Sequence, residues 1–184
     1  MVHRREIIRL SRSCPATAIP SGETLLLEPD SEVLLVQSLG GHFTVQTERG
    51  QLVRIDAKDA DALGRTTPAT EQATPSSNGG PFDIERVWDE LRQVYDPEIP
   101  VNIVDLGLVY VCEPIPLPSG GYDVQVEMTM TAPGCGMGDV LAEDVRRRLL
   151  ALPGVERTDV RVVFEPPWSP ERMTDAARLE LGWM

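Results

Sequence analysis

Polar and apolar side chains alternate without a break from residue 122 to residue 131. Val124, Val126, Met128 and Met130 fall on one side, and Asp123, Gln125, Glu127, Thr129 and Thr131 on the other. That period of two is the signature of a half-buried strand. Residues 108–113 also read as a strand, and residues 114–121 between them as a turn, so the pair predicts an antiparallel hairpin. One face should lie under helices and the other should be open to solvent or to a partner. Around the hairpin the period lengthens. Ile84, Val87, Trp88, Leu91, Val94 and Tyr95 share one face of a helix over 82–95, with Asp83 as its cap. Met137, Leu141, Val145, Leu149 and Leu152 stripe a second helix, stopped by Pro153-Gly154. Residues 159–164 predict a third strand. Ser169 and Pro170 open a last helix that runs to Gly182. The order is α-β-β-α-β-α, a two-layer α/β (α+β) unit with a small mixed sheet.

Residues 1–64 follow a different rhythm. Short apolar runs at 7–10, 16–19, 24–27, 32–37, 42–46 and 52–55 are separated by Pro20-Ser21-Gly22, Glu28-Pro29-Asp30, Gly40-Gly41 and Arg49-Gly50. Each separator has turn chemistry, and the last two suggest hairpins. So many strands in so short a stretch predict a small all-β domain, a barrel or a folded-over sheet. Residues 59–63 suggest one helical turn ended by Gly64. Between the two halves, residues 65–81 carry Pro, Thr, Ser, Asn and Gly and almost no apolar side chain. Such a segment cannot bury enough surface to offset its ordering entropy. We therefore expect domains at 1–64 and 82–184, joined by a flexible linker at 65–81.

Charge changes the picture of partners. The net charge is −12, and Lys58 is the sole lysine. Residues 1–64 hold seven basic and nine acidic side chains, and residues 82–184 hold nine and nineteen. An acidic surface repels phosphate backbones, which argues against nucleic acid. Met1-Val2-His3-Arg4-Arg5 is followed by no long apolar run, so no secretory signal is expected, and no run approaches the length of a membrane span. Cys14, Cys112 and Cys135 lie far apart, without a C-x-x-C or Cys/His cluster. That pattern argues against a disulfide framework and a closed protein-only zinc site, and for a reducing cytoplasm.

The candidate chemistry gathers at two places. Thr131-Ala132-Pro133-Gly134-Cys135-Gly136-Met137 takes the chain from strand to helix. Unpaired N–H groups in the first helical turns carry partial positive charge and favour a thiolate at Cys135. Gly134 and Gly136 leave the backbone open to a ligand. The alternative for Cys135 is a buried thiol that packs as a small hydrophobe, which is also the reading for Cys112 in its strand and for Cys14 in an edge loop. Asp96, Glu98 and Asp105 place three carboxylates on a proline-stiffened loop. They can cap turns and be solvated, or offer hard oxygen donors beside a thiolate, a set that suits iron or zinc. Thr129 and Thr131 line the polar strand face that ends at Cys135. A strand-start loop and the end of the next strand lie side by side in an antiparallel hairpin, so the acidic loop and the cysteine loop should meet.

Several separate motifs also carry a resemblance. Asp96-Pro97-Glu98-Ile99-Pro100, residues 101–110, Met128-Thr129-Met130-Thr131-Ala132-Pro133-Gly134-Cys135 and Pro166-Pro167-Trp168-Ser169-Pro170 resemble the metal–sulfur cluster biosynthesis domain family, which includes the PaaD-type proteins. Gln37-Ser38-Leu39-Gly40-Gly41 and residues 54–64 resemble the N-terminal extension of SufT-type maturation factors. The resemblance implies a non-enzymatic role in iron–sulfur protein maturation, with the essential cysteine at Cys135 and the acidic loop at Asp96, Glu98 and Asp105. It implies iron or an iron–sulfur cluster as a transient or shared cargo, and other assembly proteins and client apo-proteins as partners. One thiolate cannot complete the four ligands of a cluster, so a second chain, a partner or a small thiol must supply the rest; a homodimer is one such arrangement. Gly136 departs from the family, where many members carry proline after the cysteine. Two other functions compete: a thiol enzyme with Cys135 as nucleophile, poorly supplied with a histidine base, and a metal-free adaptor.

Overall fold

The structure, a computed structural model, describes residues 6–65, 81–132 and 136–183. The chain divides into two compact units, Met1–Gln72 and Ala73–Met184. Residues 66–80 of the expected linker lie outside the described residues.

The N-terminal unit is a six-stranded antiparallel sheet. Its strands are β1 (Glu6–Arg9), β2 (Cys14–Ala18), β3 (Thr24–Leu27), β4 (Glu32–Leu39), β5 (His42–Thr47) and β6 (Leu52–Ile55), in the order β1-β4-β5-β6-β2-β3. Gly40-Gly41 turns β4 into β5, and the turn that closes β5 onto β6 is tied by Gly50 N–H to Thr47 O. Ile8, Val33, Leu35, Phe43, Val45, Val53 and Ile55 form the core with Ala60, Ala62 and Leu63 from a 3-10 turn, Ala57–Leu63. Gly64 ends that turn in the left-handed region, as its lack of a Cβ allows. Cys14 is not in a loop. It sits in β2 opposite Leu27 and is fully buried, its inward position shared with Ala16 and Ala18. Pro15 disguises this strand in the sequence. The proline is tolerated because β6 pairs with β2 only at Thr17 and Ala18, so no ladder bond is lost at Pro15 on that side.

The C-terminal unit holds α1 (Ile84–Leu91), β7 (Val109–Pro116), β8 (Tyr122–Met128), α2 (Gly138–Leu150), β9 (Val155–Val162), a 3-10 turn at Pro170–Arg172 and α3 (Asp175–Leu181). The sheet order is β7-β8-β9. β7 and β8 form the antiparallel hairpin, and β9 returns parallel to β8 after the α2 crossover. Val124, Val126 and Met128 are completely buried together with Leu141, Val145 and Leu149 of α2 and Val87 and Leu91 of α1. Asp83 caps α1 by accepting from Glu85 N–H at 3.0 Å.

Expectations for this unit change: the first helix ends at Leu91, short of Val94 and Tyr95, and residues 114–116 extend β7 instead of turning. The third strand starts at Val155 rather than 159, because Pro153-Gly154 leads straight into it. Its exposed charged residues, Glu156 and Arg157, hide the alternation. The last helix is broken. Met173 and Thr174 are extended, and α3 begins only after Thr174 caps it by accepting from Ala177 N–H. Finally, the polar face of the 122–131 alternation is not uniformly open, since Asp123 in β8 and Thr129 just after it are both buried.

Candidate functional site

The acidic loop is built by its apolar residues. Val101, Ile103, Leu106 and Leu108 are buried, which pins the loop to the core and leaves the polar side chains between them to be placed. Main-chain bonds stiffen it further. Asp96 N–H donates to Val101 O and Ile103 N–H to Val94 O, a short ladder closed by the turn containing Pro97 and Pro100. Leu106, Gly107 and Leu108 N–H groups then bond back to Asn102, Val104 and Ile103 carbonyls.

Asp96 organises the first half. Its Oδ1 accepts from Glu98 N–H and Ile99 N–H, both at 2.9 Å, and its Oδ2 accepts from the Thr131 hydroxyl at 3.3 Å. The residue is 1% exposed. Burial raises its carboxyl above the usual range, a push that the Ile99 and Glu98 N–H groups oppose only in part. With both oxygens engaged, Asp96 holds the turn together and Glu98 stands exposed on it.

Asn102 organises the second half. Its Oδ1 accepts from Val104 N–H at 3.1 Å and Asp105 N–H at 2.9 Å, and its Nδ2 donates to Asp105 Oδ2 at 2.6 Å. Asn102 was not among the residues expected here. The Asn-x-x-Asp spacing, which lets a short polar side chain satisfy N–H groups two and three residues on, is the signal that points to it.

The structure thus brings Asp96 and Thr131 into contact and sets Asp105 on the same loop. Thr129 continues the strand, with its N–H on Leu108 O, and its side chain is buried. Gly134 and Cys135 lie outside the described residues, with Pro133. The chain on either side of them is fixed. Thr131 is tied to Asp96, Gly136 is exposed, Met137 is fully buried, and Met137 O accepts from Leu141 N–H. The first turn of α2 has no side-chain cap. Gly138 packs on the strand ends: a methyl group there would sit 3.7 Å from Met130 Cγ and 3.6 Å from a methyl of Val162.

The other cysteines are poor nucleophiles. Burial pushes the Cys112 thiol up to about 11, and burial first, then the Asp59 charge, raises that of Cys14. His42 belongs to β5 of the N-terminal unit, where its Nε2 meets Arg54 at 2.6 Å and its Nδ1 lies 3.3 Å from Asp56. Among the described residues, no group of three or more His, Cys, Asp or Glu side chains is close enough to hold a metal ion. Nor is any described helix long and apolar enough to cross a membrane.

Against known proteins, residues 84–162 match the family profile described as "Iron-sulfur cluster assembly protein". The chain is similar to a "Fe-S protein maturation auxiliary factor" of Porphyromonas gingivalis, 45% identical over 102 residues, which span 55% of this chain and 90% of the relative. It is 37% identical over 98 residues to the factor YitW of Bacillus subtilis, covering 53% of this chain and 92% of that one. It is also 37% identical over 89 residues to the factor SufT of Staphylococcus aureus, covering 48% and 97%. Matches of that extent leave no room in these three relatives for a counterpart of the six-stranded unit.

Proposed function

The chain belongs to the iron–sulfur cluster assembly protein family, and on that premise we propose that it is an accessory maturation factor that helps deliver iron–sulfur clusters to client apo-proteins through the Cys135 thiolate. The observation that carries the reading is the Asp96–Thr131 hydrogen bond, which fastens the acidic loop to the strand end from which the cysteine loop departs. A soft thiolate beside hard carboxylate oxygens suits iron in transit. Asp96 engages one oxygen with the turn and the other with Thr131, so Glu98 and Asp105 are the carboxylates left to meet the cargo. Gly136, exposed just before α2, leaves its backbone open beside this loop, whereas the Thr129 side chain is buried and supports the strand end.

A single thiolate supplies one ligand where a cluster takes four. The remainder comes from the client, another assembly protein, a small thiol or a second copy of this chain. Incomplete ligation keeps the cargo exchangeable, as delivery requires. On this reading the protein works in the reducing cytoplasm, where its thiol stays free, and it is not an enzyme. Both histidines of the sequence, His3 and His42, precede residue 82, so the C-terminal unit has no imidazole base to activate a nucleophile.

The test is complementation. In a strain lacking this protein, the parent chain restores the activity of iron–sulfur enzymes, and Cys135→Ser, with its fold intact, does not. Equal restoration by the serine variant ends the proposal. Anaerobic reconstitution with iron and sulfide, followed by absorption and Mössbauer spectra of both chains, asks directly whether the thiol takes part in cluster binding.

A further inference from the structure

The segment after β9 does more than cover the core. Val163 N–H bonds to Met128 O, so the chain leaves the sheet beside the strand that ends in the site. It then crosses the acidic loop and engages it residue by residue. Thr174 N–H donates to Asp105 O at 2.9 Å. Trp168 Nε1–H donates to Leu106 O at 2.8 Å. Gly107 has a φ of 69°, and a Cβ there would stand 2.3 Å from Arg172 O and 2.8 Å from Arg172 C, so the two backbones are in direct apposition. Further on, Tyr110 donates its hydroxyl to Pro166 O at 2.8 Å, and the Arg172 guanidinium lies 4.3 Å from the centre of the Tyr110 ring.

Covering a core requires only apolar burial. Here three consecutive loop residues, 105 to 107, are each engaged through their main chain, while the Leu106 side chain is buried in the core. Asp105 is consequently held twice: its carbonyl by Thr174 and its carboxylate by Asn102. The Glu98–Ile99 turn is held separately, by Asp96.

We propose that residues 163–174 form a strap that sets the position of the Asp105 carboxylate, with Trp168 and Tyr110 as its positioning residues. The inference rests on the reading of the acidic loop as part of the maturation site. A site that presents a carboxylate beside a thiolate needs that carboxylate fixed by neighbours that do not themselves meet the cargo.

The experiment uses the full-length chain and two conservative variants. Trp168→Phe keeps a ring and deletes the donor to Leu106, and Tyr110→Phe deletes the donor to Pro166 while keeping the ring under Arg172. Amide hydrogen exchange is followed at Val104 and Asp105, with Glu98 and Ile99 as internal controls. Expected for Trp168→Phe is exchange faster by about tenfold at Val104 and Asp105, the effect of one lost hydrogen bond. Glu98 and Ile99 should be unchanged, the unfolding midpoint should fall by no more than the loss of that one bond accounts for, and client maturation in the deletion strain should fall. Tyr110→Phe should act in the same direction. Unchanged exchange at Val104 and Asp105 in both variants overturns the strap. So does parental maturation in both variants when Cys135→Ser abolishes it. If Cys135→Ser itself matures clients fully, the thiolate reading fails alone, and exchange at Val104 and Asp105 still decides whether the strap holds the loop.

Discussion

The Thr131 hydroxyl donates to Asp96 Oδ2 across 35 positions of sequence, at 3.3 Å. It joins the loop that enters the hairpin to the strand that leaves it. Removing the hydroxyl with Thr131→Val keeps the shape and leaves a buried carboxylate oxygen short of a donor. The C-terminal unit should lose about 1 kcal/mol, and Thr131→Ser should restore most of it. Tryptophan fluorescence during denaturant unfolding measures this cleanly, because Trp88, Trp168 and Trp183 all lie in that unit. Equal midpoints for the valine and parent chains would show that the bond contributes nothing.

Asp96 also gives the unit a pH dependence. Burial raises its carboxyl, so the folded chain holds that proton more tightly than the unfolded chain does. Its contribution to stability is therefore fully present below the unfolded carboxylate value and is lost as pH rises through the raised folded value. Asp96→Asn keeps an oxygen for Glu98 and Ile99 N–H and an amide for Thr131. It should abolish this part of the slope and match or exceed the parent in stability at pH 7. Parallel curves of unfolding free energy against pH for the two chains would refute the assignment.

Asn102 offers a test by charge. Asn102→Ala strands the N–H groups of Val104 and Asp105 and should cost about 1–3 kcal/mol. Asn102→Asp retains the acceptor but puts a second carboxylate against Asp105, now 2.6 Å from Nδ2. That variant should be destabilised at neutral pH and recover on acidification. A variant equally stable at both pH values would contradict the geometry.

The thiols should separate by reactivity. At pH 8 a thiol near 11 is ionised to roughly one part in a thousand, which silences Cys112, and Cys14 is sealed in its core. Brief treatment of the native chain with iodoacetamide, read by peptide mass spectrometry, should label Cys135 first. Comparable early labelling of Cys112 would mean that its strand opens readily.

Much of this architecture is visible in the sequence because half-buried strands announce themselves locally. The six N-terminal strands and the 122–131 alternation need only a period and the turns between. What fails locally is settled at a distance. Cys14 looks like a loop residue because Pro15 follows it, and only the missing β6 partner makes that proline harmless. The expected last helix breaks at Thr174 because its N–H is taken by Asp105 O, 69 positions away. The acidic residues of the loop were legible as candidates. Their division into Asp96, which holds a turn, and Glu98, which faces solvent, depends on burial that spacing does not encode. Trp168 reads as a core cover, and its bond to Leu106 O appears only once the strap crosses the loop.

The clasp of Thr174 on Asp105 also orders events in time. A chain emerges from the ribosome with its N-terminal part first, so Asp96, Asp105 and Cys135 are all synthesised before the strap proposed to hold Asp105. Cys135 precedes Thr174 by 39 residues. The six-stranded unit precedes the acidic loop in synthesis, and the partners of residues 105–107 follow only with residues 168–174. On the strap proposal, a chain cut between Cys135 and residue 163 would carry the thiol without the support that Thr174 and Trp168 give the Asp105 loop.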